Sequence, residues 1–408
     1  MLAALEQGVK GGKWFSLIDK VYRLETLTRA WQRVASKGGV GGVDGQSVES
    51  FGPHAQEYLE ELSEALRTGT YRAQAVRGVK IPKGAGQWRS LGIPTIKDRV
   101  VQTAVKMVIE PIFEHEFVCC SYGMRPGRSC KDALRVVDEM LQAGHCWVVD
   151  MDISDYFGSI PHEALMRTVA QWISDGPVLD LLRQWLGQQV LEQMRQWTPD
   201  SGTPQGAVIS PLLGNLYLHQ FDQHMCERGY RLVRYCDDFV ILCDSHSEAQ
   251  EAYEQAAAWM SQHGLQLHPQ KSRMGDCRIP GQGFEFLGYR FEAGRREVRA
   301  KSLRKLKDGI RKHTGRNGGK SLRTVIDTLN PLLRGWFAYF QHAHARIFKT
   351  LDGMIRRRLR AILRTHERRP GRGRTRADQQ RWPNAYFAEQ GLFTLQLAHA
   401  AARQSLRR

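Results

Sequence analysis

The chain has 408 residues, 42% of them hydrophobic, and its ten Trp, twelve Tyr and fifteen Phe exclude disorder over most of the length. No apolar run nears the ~20 residues that span a bilayer, and the N-terminal MLAALEQGVKGGKWF has no signal-peptide pattern, so a cytoplasmic protein without a membrane partner is expected. The net charge of +17 is lopsided: residues 1–300 carry 33 Lys and Arg against 36 Asp and Glu, residues 301–408 carry 26 against 6, and that local excess of 20 points to a nucleic acid.

In chain order, residues 13–36 have helical periodicity through Leu17, Val21, Leu24, Leu27 and Trp31, and GGVGGVDG then reads as a loop. Residues 53–67 read as helix, 77–99 as short strands around a basic turn, and 98–118 as helix again. HCWVVDMDISDYF from 145 reads as a buried strand ending on carboxylates. Residues 161–197 are predicted helical and 203–228 loop then helix. Residues 231–243 form a hairpin with its turn at Asp237 and Asp238, 248–264 a helix, and FEFLGYRF at 284–291 a strand. Beyond 300 the pattern is helical and basic, interrupted at HTGRNGGK and RRPGRGRTR. Interleaved strands and helices followed by a helical tail indicate an α+β unit plus a helical domain. The eight cysteines include no Cys-x-x-Cys pair, so neither zinc nor a disulfide framework is expected.

The hairpin RLVRYCDDFVILC poses the chemical question. Adjacent carboxylates repel and resist desolvation. A turn that favours Asp explains them as surface residues; a divalent cation explains them as ligands. If the strand ending at Asp152 pairs with this hairpin, Asp152, Asp237 and Asp238 converge at one end of a sheet. Hard cations such as Mg²⁺ take such oxygen ligands, and two of them can clamp a phosphoryl transfer.

YCDD at 235–238 resembles the Tyr-x-Asp-Asp box of reverse transcriptases, and DISDYFGSI at 152–160 resembles their first catalytic strand. Further blocks occur in order: IPKGAGQWRSLGIPTIKDRVVQTAV, SYGMRPGRSCKDAL, GTPQGAVISPLLGNLYL, GLQLHPQKS and FEFLGYRF. Together they are similar to bacterial group II intron-encoded reverse transcriptases, and NPLLRGWFAYF at 330–340 resembles the maturase domain of that group. The resemblance implies a right-hand polymerase, fingers and palm with an antiparallel sheet, followed by an all-helical thumb or maturase domain. It implies an N-terminal extension and start of fingers at 1–75, fingers and palm at 76–295, thumb/maturase at 296–370 and a short basic segment at 371–408.

By the same resemblance, Asp152, Asp237 and Asp238 are catalytic and hold two Mg²⁺. Lys83 and Arg89 lie over the triphosphate, although both residues also suit ordinary exposed loops. Phe157 matches the bulky position that clashes with a ribose 2′-hydroxyl; core packing would explain it equally well. Gln205 lines the nucleotide pocket and Lys271 contacts the nucleotide or primer end. In the C-terminal region, Ile355, Leu359, Ile362 and Leu363 form an apolar stripe with Arg356, Arg357, Arg360, Arg364 and Arg368 around it, which predicts guanidiniums turned outward. Those arginines and Arg334 are the expected nucleic-acid contacts; a solvated helix face is the plain alternative.

The implied partners are group II intron RNA, an RNA template with DNA primer, target DNA and dNTPs, bound as a monomer or dimer on RNA in a nucleoid-associated ribonucleoprotein. Two departures stand out. Position 236 is Cys where the family usually has Ala. No His/Asn/Cys-rich endonuclease segment precedes Arg408, so DNA cleavage is expected from the RNA partner or host. The leading expectation is an RNA-directed DNA polymerase and intron maturase. A domesticated relative in repair or phage defence, and a non-catalytic RNA-binding splicing factor, are the alternatives.

Overall fold

The computed structural model describes residues 12–84, 86–192, 195–316 and 318–405, with the side chains of Lys83, Gln87 and Ser405 outside that description. Two compact units divide the chain, Met1–Gly275 and Asp276–Arg408.

In the first unit, a single turn at Ile18–Val21 precedes α1 (Leu24–Lys37). The predicted helix over 13–36 is thus two pieces. Leu27, Ala30 and Val34 form the buried stripe of α1, and Leu59, Leu62 and Leu66 that of α2 (Ala55–Thr68), both at helical spacing. A hairpin follows, β1 (Val76–Gly84) with β2 (Gln87–Ile93). Thr95 caps α3 (Ile96–Glu116), whose apolar residues are buried on almost every side, making it the central pillar of the unit. A Ser129–Asp132 capping box starts α4 (Cys130–Gln142).

The sheet that matters most is β6-β7-β3-β8, built from β3 (Trp147–Asp152), β6 (Arg231–Tyr235), β7 (Asp238–Cys243) and the edge strand β8 (Arg273–Asp276). Its inner strands β3 and β7 run as near-continuous apolar stretches and pair antiparallel, Val148 to Leu242 through Asp152 to Asp238. Between β3 and β6 come α5 (Tyr156–Ser159), α6 (His162–Val169) and α7 (Gly176–Leu186), then β4 (Val190–Glu192), β5 (Arg195–Trp197) and α8 (Ser210–Glu227). The helix expected to run through 197 therefore stops at Leu186. Val190 and Leu191 join Val76 and Arg77 of β1 in parallel, giving a second sheet ordered β2-β1-β4-β5. A three-residue strand owes its register to its neighbour and leaves little periodicity to read. Helix α9 (His246–Gln262), capped by Ser245, completes the unit.

The second unit opens with a three-stranded sheet, β9 (Phe284–Phe286), β10 (Tyr289–Glu292) and β11 (Arg295–Val298). FEFLGYRF is thus a hairpin rather than one strand. Leu287 and Gly288 both have positive φ, 47° and 83°, as a two-residue type I′ turn requires. Helices α10 (Ala300–His313), α11 (Leu322–Phe340), α12 (Arg346–His366), α13 (Arg376–Arg381), α14 (Asn384–Glu389) and α15 (Leu395–Ser405) follow. Among the described residues no helix is long and apolar enough to cross a membrane.

One core residue carries a pH signature. His219 of α8 is fully buried against the rings of Phe117 and Trp172, and neither ring nitrogen has a hydrogen-bond partner among the described residues. Burial, with help from Arg234 and Arg125, pushes its pKa down to about 4. From about pH 6.5 downward the unfolded chain takes up a proton that the folded chain refuses until about pH 4. Stability present above pH 6.5 is therefore lost through that window, by about 3 kcal/mol in all. Urea midpoints measured across it should fall less steeply for His219→Leu than for the unaltered chain; parallel curves would refute the assignment.

Candidate active site

The end of β3 and the β6–β7 turn form the floor of a cavity of about 610 Å³. Asp152 and Asp238 are directly opposed across β3 and β7, and Asp238 also pairs with Tyr235. The turn consists of Cys236 and Asp237, so it lies one residue before the predicted position and Asp238 already belongs to the strand. Cys236 has φ of +60°, a value that L-residues rarely adopt. The three carboxylates thus come from three backbone settings: a strand end, a turn and a strand start.

A buried polar network holds that turn. Arg234 is fully buried, and its Nε and Nη2 donate to the two carboxylate oxygens of equally buried Asp222 at 2.6 and 2.5 Å. Its Nη1 donates to Asn215 Oδ1 (3.0 Å) and to the carbonyl oxygen of Cys236 (2.9 Å). Asn215 in turn donates to Gly123 O at 2.7 Å. Burial opposes the guanidinium charge, but the Asp222 carboxylate outweighs it and holds the Arg234 proton more tightly than usual. Gly123 must lack a side chain, since a Cβ there would overlap the Cys236 nitrogen and sit 2.6 Å from its sulfur. Burial and the neighbouring Asp237 push the Cys236 thiol up to about 12, so it stays neutral. Position 236 is constrained by backbone and space, which a small residue meets.

Within the cavity the structure brings together Arg89, Asp152, Phe157, Gln205, Asp237 and Lys271. Lys271 Nζ donates to Asp152 Oδ2 at 2.5 Å. The segment carrying it is tied to β3 by His268 N–H donating to Asp152 O (2.7 Å) and Ser154 N–H donating to Gln266 O (2.7 Å). Phe157, on α5, packs its ring over Gly214, where a Cβ would lie 2.9 Å from its Cε1. It lines the cavity and also packs into the interior of the unit. The Thr-Pro-Gln-Gly loop is fastened on two sides: Thr203 N–H donates to Phe157 O (2.7 Å), and Gly92 N–H donates to Gln205 O (2.8 Å). Gln205 Nε2 donates to Asp155 Oδ1 at 3.4 Å. Arg89 stands exposed on β2 opposite Ile81. Lys83 belongs to β1, and its side chain lies outside the described residues.

Among the described residues no three His, Cys, Asp or Glu side chains are gathered as a finished metal cage. The donor set nevertheless suits a hard divalent cation: carboxylates only, at one sheet end, with the ammonium of Lys271 already seated on Asp152 as a positive stand-in. Sequence reasoning missed Asp155, a cavity-lining carboxylate at φ of +41°, and the Asp222–Arg234–Asn215 network. A signal for the latter existed. Asn215 and Asp222 are seven residues apart, hence on one helix face, and Arg234 interrupts an apolar strand.

The arginines of the second unit differ from expectation. Arg360 is buried, donating to Trp382 O and Asn384 Oδ1, both at 2.9 Å. Arg364 donates to Asp378 Oδ1 (2.5 Å) and Pro370 O (2.9 Å). Arg356 is largely covered beside Asp352, whose carboxylate accepts from Leu395 and Gln396 N–H at the start of α15. These three turn inward because the segment after α12 folds back over the face that the apolar stripe leaves polar. Arg368 is exposed, Arg357 lines a small cavity, and Arg334 stacks over Phe393 at 4.7 Å.

Residues 81–291 match the family described as reverse transcriptase (RNA-dependent DNA polymerase). The chain belongs to that family. Residues 303–382 match the group II intron maturase-specific domain. The protein YkfC of Escherichia coli K12 is 33% identical over 290 residues, covering 61% of this chain and 75% of that protein. The group II intron-encoded protein LtrA of Lactococcus lactis is 34% identical over 208 residues, half of this chain and 34% of its own length. The chain therefore spans three quarters of one relative and about a third of the other. A chain of a solved partial Cas6-RT-Cas1–Cas2 complex is 25% identical, with a TM-score of 0.38 over 60% of this chain and 42% of that one.

Proposed function

We propose that this member of the reverse transcriptase family binds group II intron RNA, promotes its splicing and reverse-transcribes it during retrohoming. One observation carries the catalytic part: Asp152 and Asp237 share a cavity with Arg89, Gln205, Phe157 and Lys271, with Asp238 opposed to Asp152 across the strands. Two Mg²⁺ ions on Asp152, Asp237 and Asp238 would supply activation of a primer 3′-hydroxyl and neutralise charge as pyrophosphate leaves. Arg89 and Lys83 offset the charge of the triphosphate from β1 and β2. Gln205, its backbone anchored to Gly92, fixes the wall against which the base pair seats. Lys271, on its tether beside Asp152, holds the carboxylate in place and offers a cation to the phosphates. The RNA template with its DNA primer, the target DNA and dNTPs are the partners, with Arg334, Arg357 and Arg368 among the RNA contacts. The setting is a bacterial cytoplasmic ribonucleoprotein at the nucleoid, the protein acting as monomer or dimer on RNA.

The test is direct. Purified protein given Mg²⁺, dNTPs and a primed RNA template should extend the primer, and should accelerate splicing of a group II intron at limiting Mg²⁺. Failure to extend with any divalent metal overturns the polymerase reading. Extension without splicing assistance overturns the maturase reading alone. Phe157→Val should raise ribonucleotide incorporation relative to deoxynucleotide by about 10–200-fold, the range set by small steric changes in a pocket. Competition between matched nucleotides on one template reads that ratio.

A further inference from the structure

Within the second unit a cavity of about 230 Å³ is lined by Thr314, Arg316, Arg357, Arg358, Arg372 and Arg374. Five of the lining residues are arginines, and among the described residues no Asp or Glu lines it. Like charges gathered in a small space repel, so the fold must spend interactions to hold them there. It does so at three points. Arg358 Nε donates to Thr314 Oγ1 (2.5 Å) and Nη2 to Thr314 O (3.1 Å), pinning the end of α10 to α12 without a counter-charge. Arg364 grips Pro370 O, and Arg316 Nη1 donates to Gly371 O at 3.4 Å, so the loop between α12 and α13 is held from both sides. Gly373 then lies directly on α12: at its φ of +66° an added Cβ would stand 2.7 Å from Ala361 N and 2.8 Å from Arg357 O. That contact brings Arg372 and Arg374, its flanking residues, to the cavity. Burial and the charges of Arg311, Arg357 and Arg316 lower the proton affinity of Arg358, the electrostatic mark of an uncompensated cluster.

A guanidinium fork matches phosphate oxygens bidentately. The volume is below the ~300–1,000 Å³ of sites for drug-sized ligands, which suits phosphate groups rather than a nucleoside. The excess of 26 basic over 6 acidic residues in 301–408 favours a polymer over a small free anion. We propose that this arginine cavity seats neighbouring phosphodiesters where an RNA backbone turns sharply, a site within the RNA-binding function proposed above and resting on it.

Arg357 and Arg374 form no ion pair with the described carboxylates, so Arg357→Gln/Arg374→Gln should fold, as checked by thermal melting. Anisotropy of a fluorescein-labelled RNA hairpin with an internal bulge, titrated with the full chain across a KCl series, gives affinity and salt slope. The double variant should bind at least about tenfold more weakly at low salt, with a log–log slope shallower by about 2. Gly373→Ala keeps every charge but displaces the loop and should reproduce most of the loss. Unchanged affinity and slope in the double variant, or wild-type binding by Gly373→Ala, overturns the assignment while leaving RNA binding elsewhere intact. No binding by the unaltered protein defeats both readings. Sodium tripolyphosphate separates the sources: if it raises the melting temperature only when the cavity arginines are present, yet they do not affect RNA binding, the ligand is a free polyphosphate and the RNA assignment is wrong.

Discussion

Asp237→Ala combined with Asp238→Ala should lower the rate of primer extension at least about 10³-fold, with RNA binding unchanged. The magnitude follows from the several kcal/mol that metal-borne charge stabilisation contributes to phosphoryl transfer, each 1.36 kcal/mol being tenfold in rate. Selectivity between the two outcomes follows from location. Asp237 lies in the turn of the first unit and Asp238 opens the strand after it, and the turn is held through the Cys236 carbonyl, a backbone atom that neither substitution removes. Urea unfolding of the variant checks that the fold survives both substitutions. Single-turnover extension and RNA anisotropy on the same preparations provide the check. A variant that loses extension only because it unfolds, or one that retains it, contradicts the role given to these residues.

The second large effect lies under the turn. Asp222→Ala leaves the fully buried Arg234 guanidinium without its counter-charge and should cost about 3–5 kcal/mol of stability. Replacing both partners with apolar residues of similar volume, Asp222→Leu with Arg234→Met, should recover most of that loss, since a buried ion pair is often no better than a well-packed apolar pair. Extension should not recover with it. The Cys236 carbonyl has then lost its donor at a residue held at positive φ, and removal of a group that orients catalytic ligands typically lowers activity 10–100-fold. Stability and activity would thus separate in one variant. Full recovery of extension in the double variant would assign the pair to stability alone.

How far the site could be read from sequence depended on which residues set each contact. Opposition of Asp152 and Asp238 was legible because two apolar strands ending on carboxylates have one sensible pairing. Position 237 as the turn's second residue was not: a cysteine at φ of +60° runs against local preference, and the reason for it is the Arg234 donor beneath. The strands at 190–192 and 195–197 were hidden because β1, more than a hundred residues earlier, provides the register of the first, and the first that of the second. Gly288 was a visible sign that FEFLGYRF turns back on itself. In α12 the 3.6-residue period located the apolar stripe correctly, but periodicity says nothing of what covers the other faces. Arg360 and Arg364 turn inward because Trp382, Asn384, Pro370 and Asp378 return to meet them.

The separation of charge along the chain has a kinetic consequence. Residues 1–300, which carry the aspartates, are close to neutral, and the last 108 residues hold all of the excess positive charge. Grip on a polyanion and chemistry on a nucleotide therefore respond to ionic strength to different degrees. Added salt should shorten the products made in one binding event well before it slows addition of the first nucleotide. Processivity, more than turnover, should then be the property that the basic region governs.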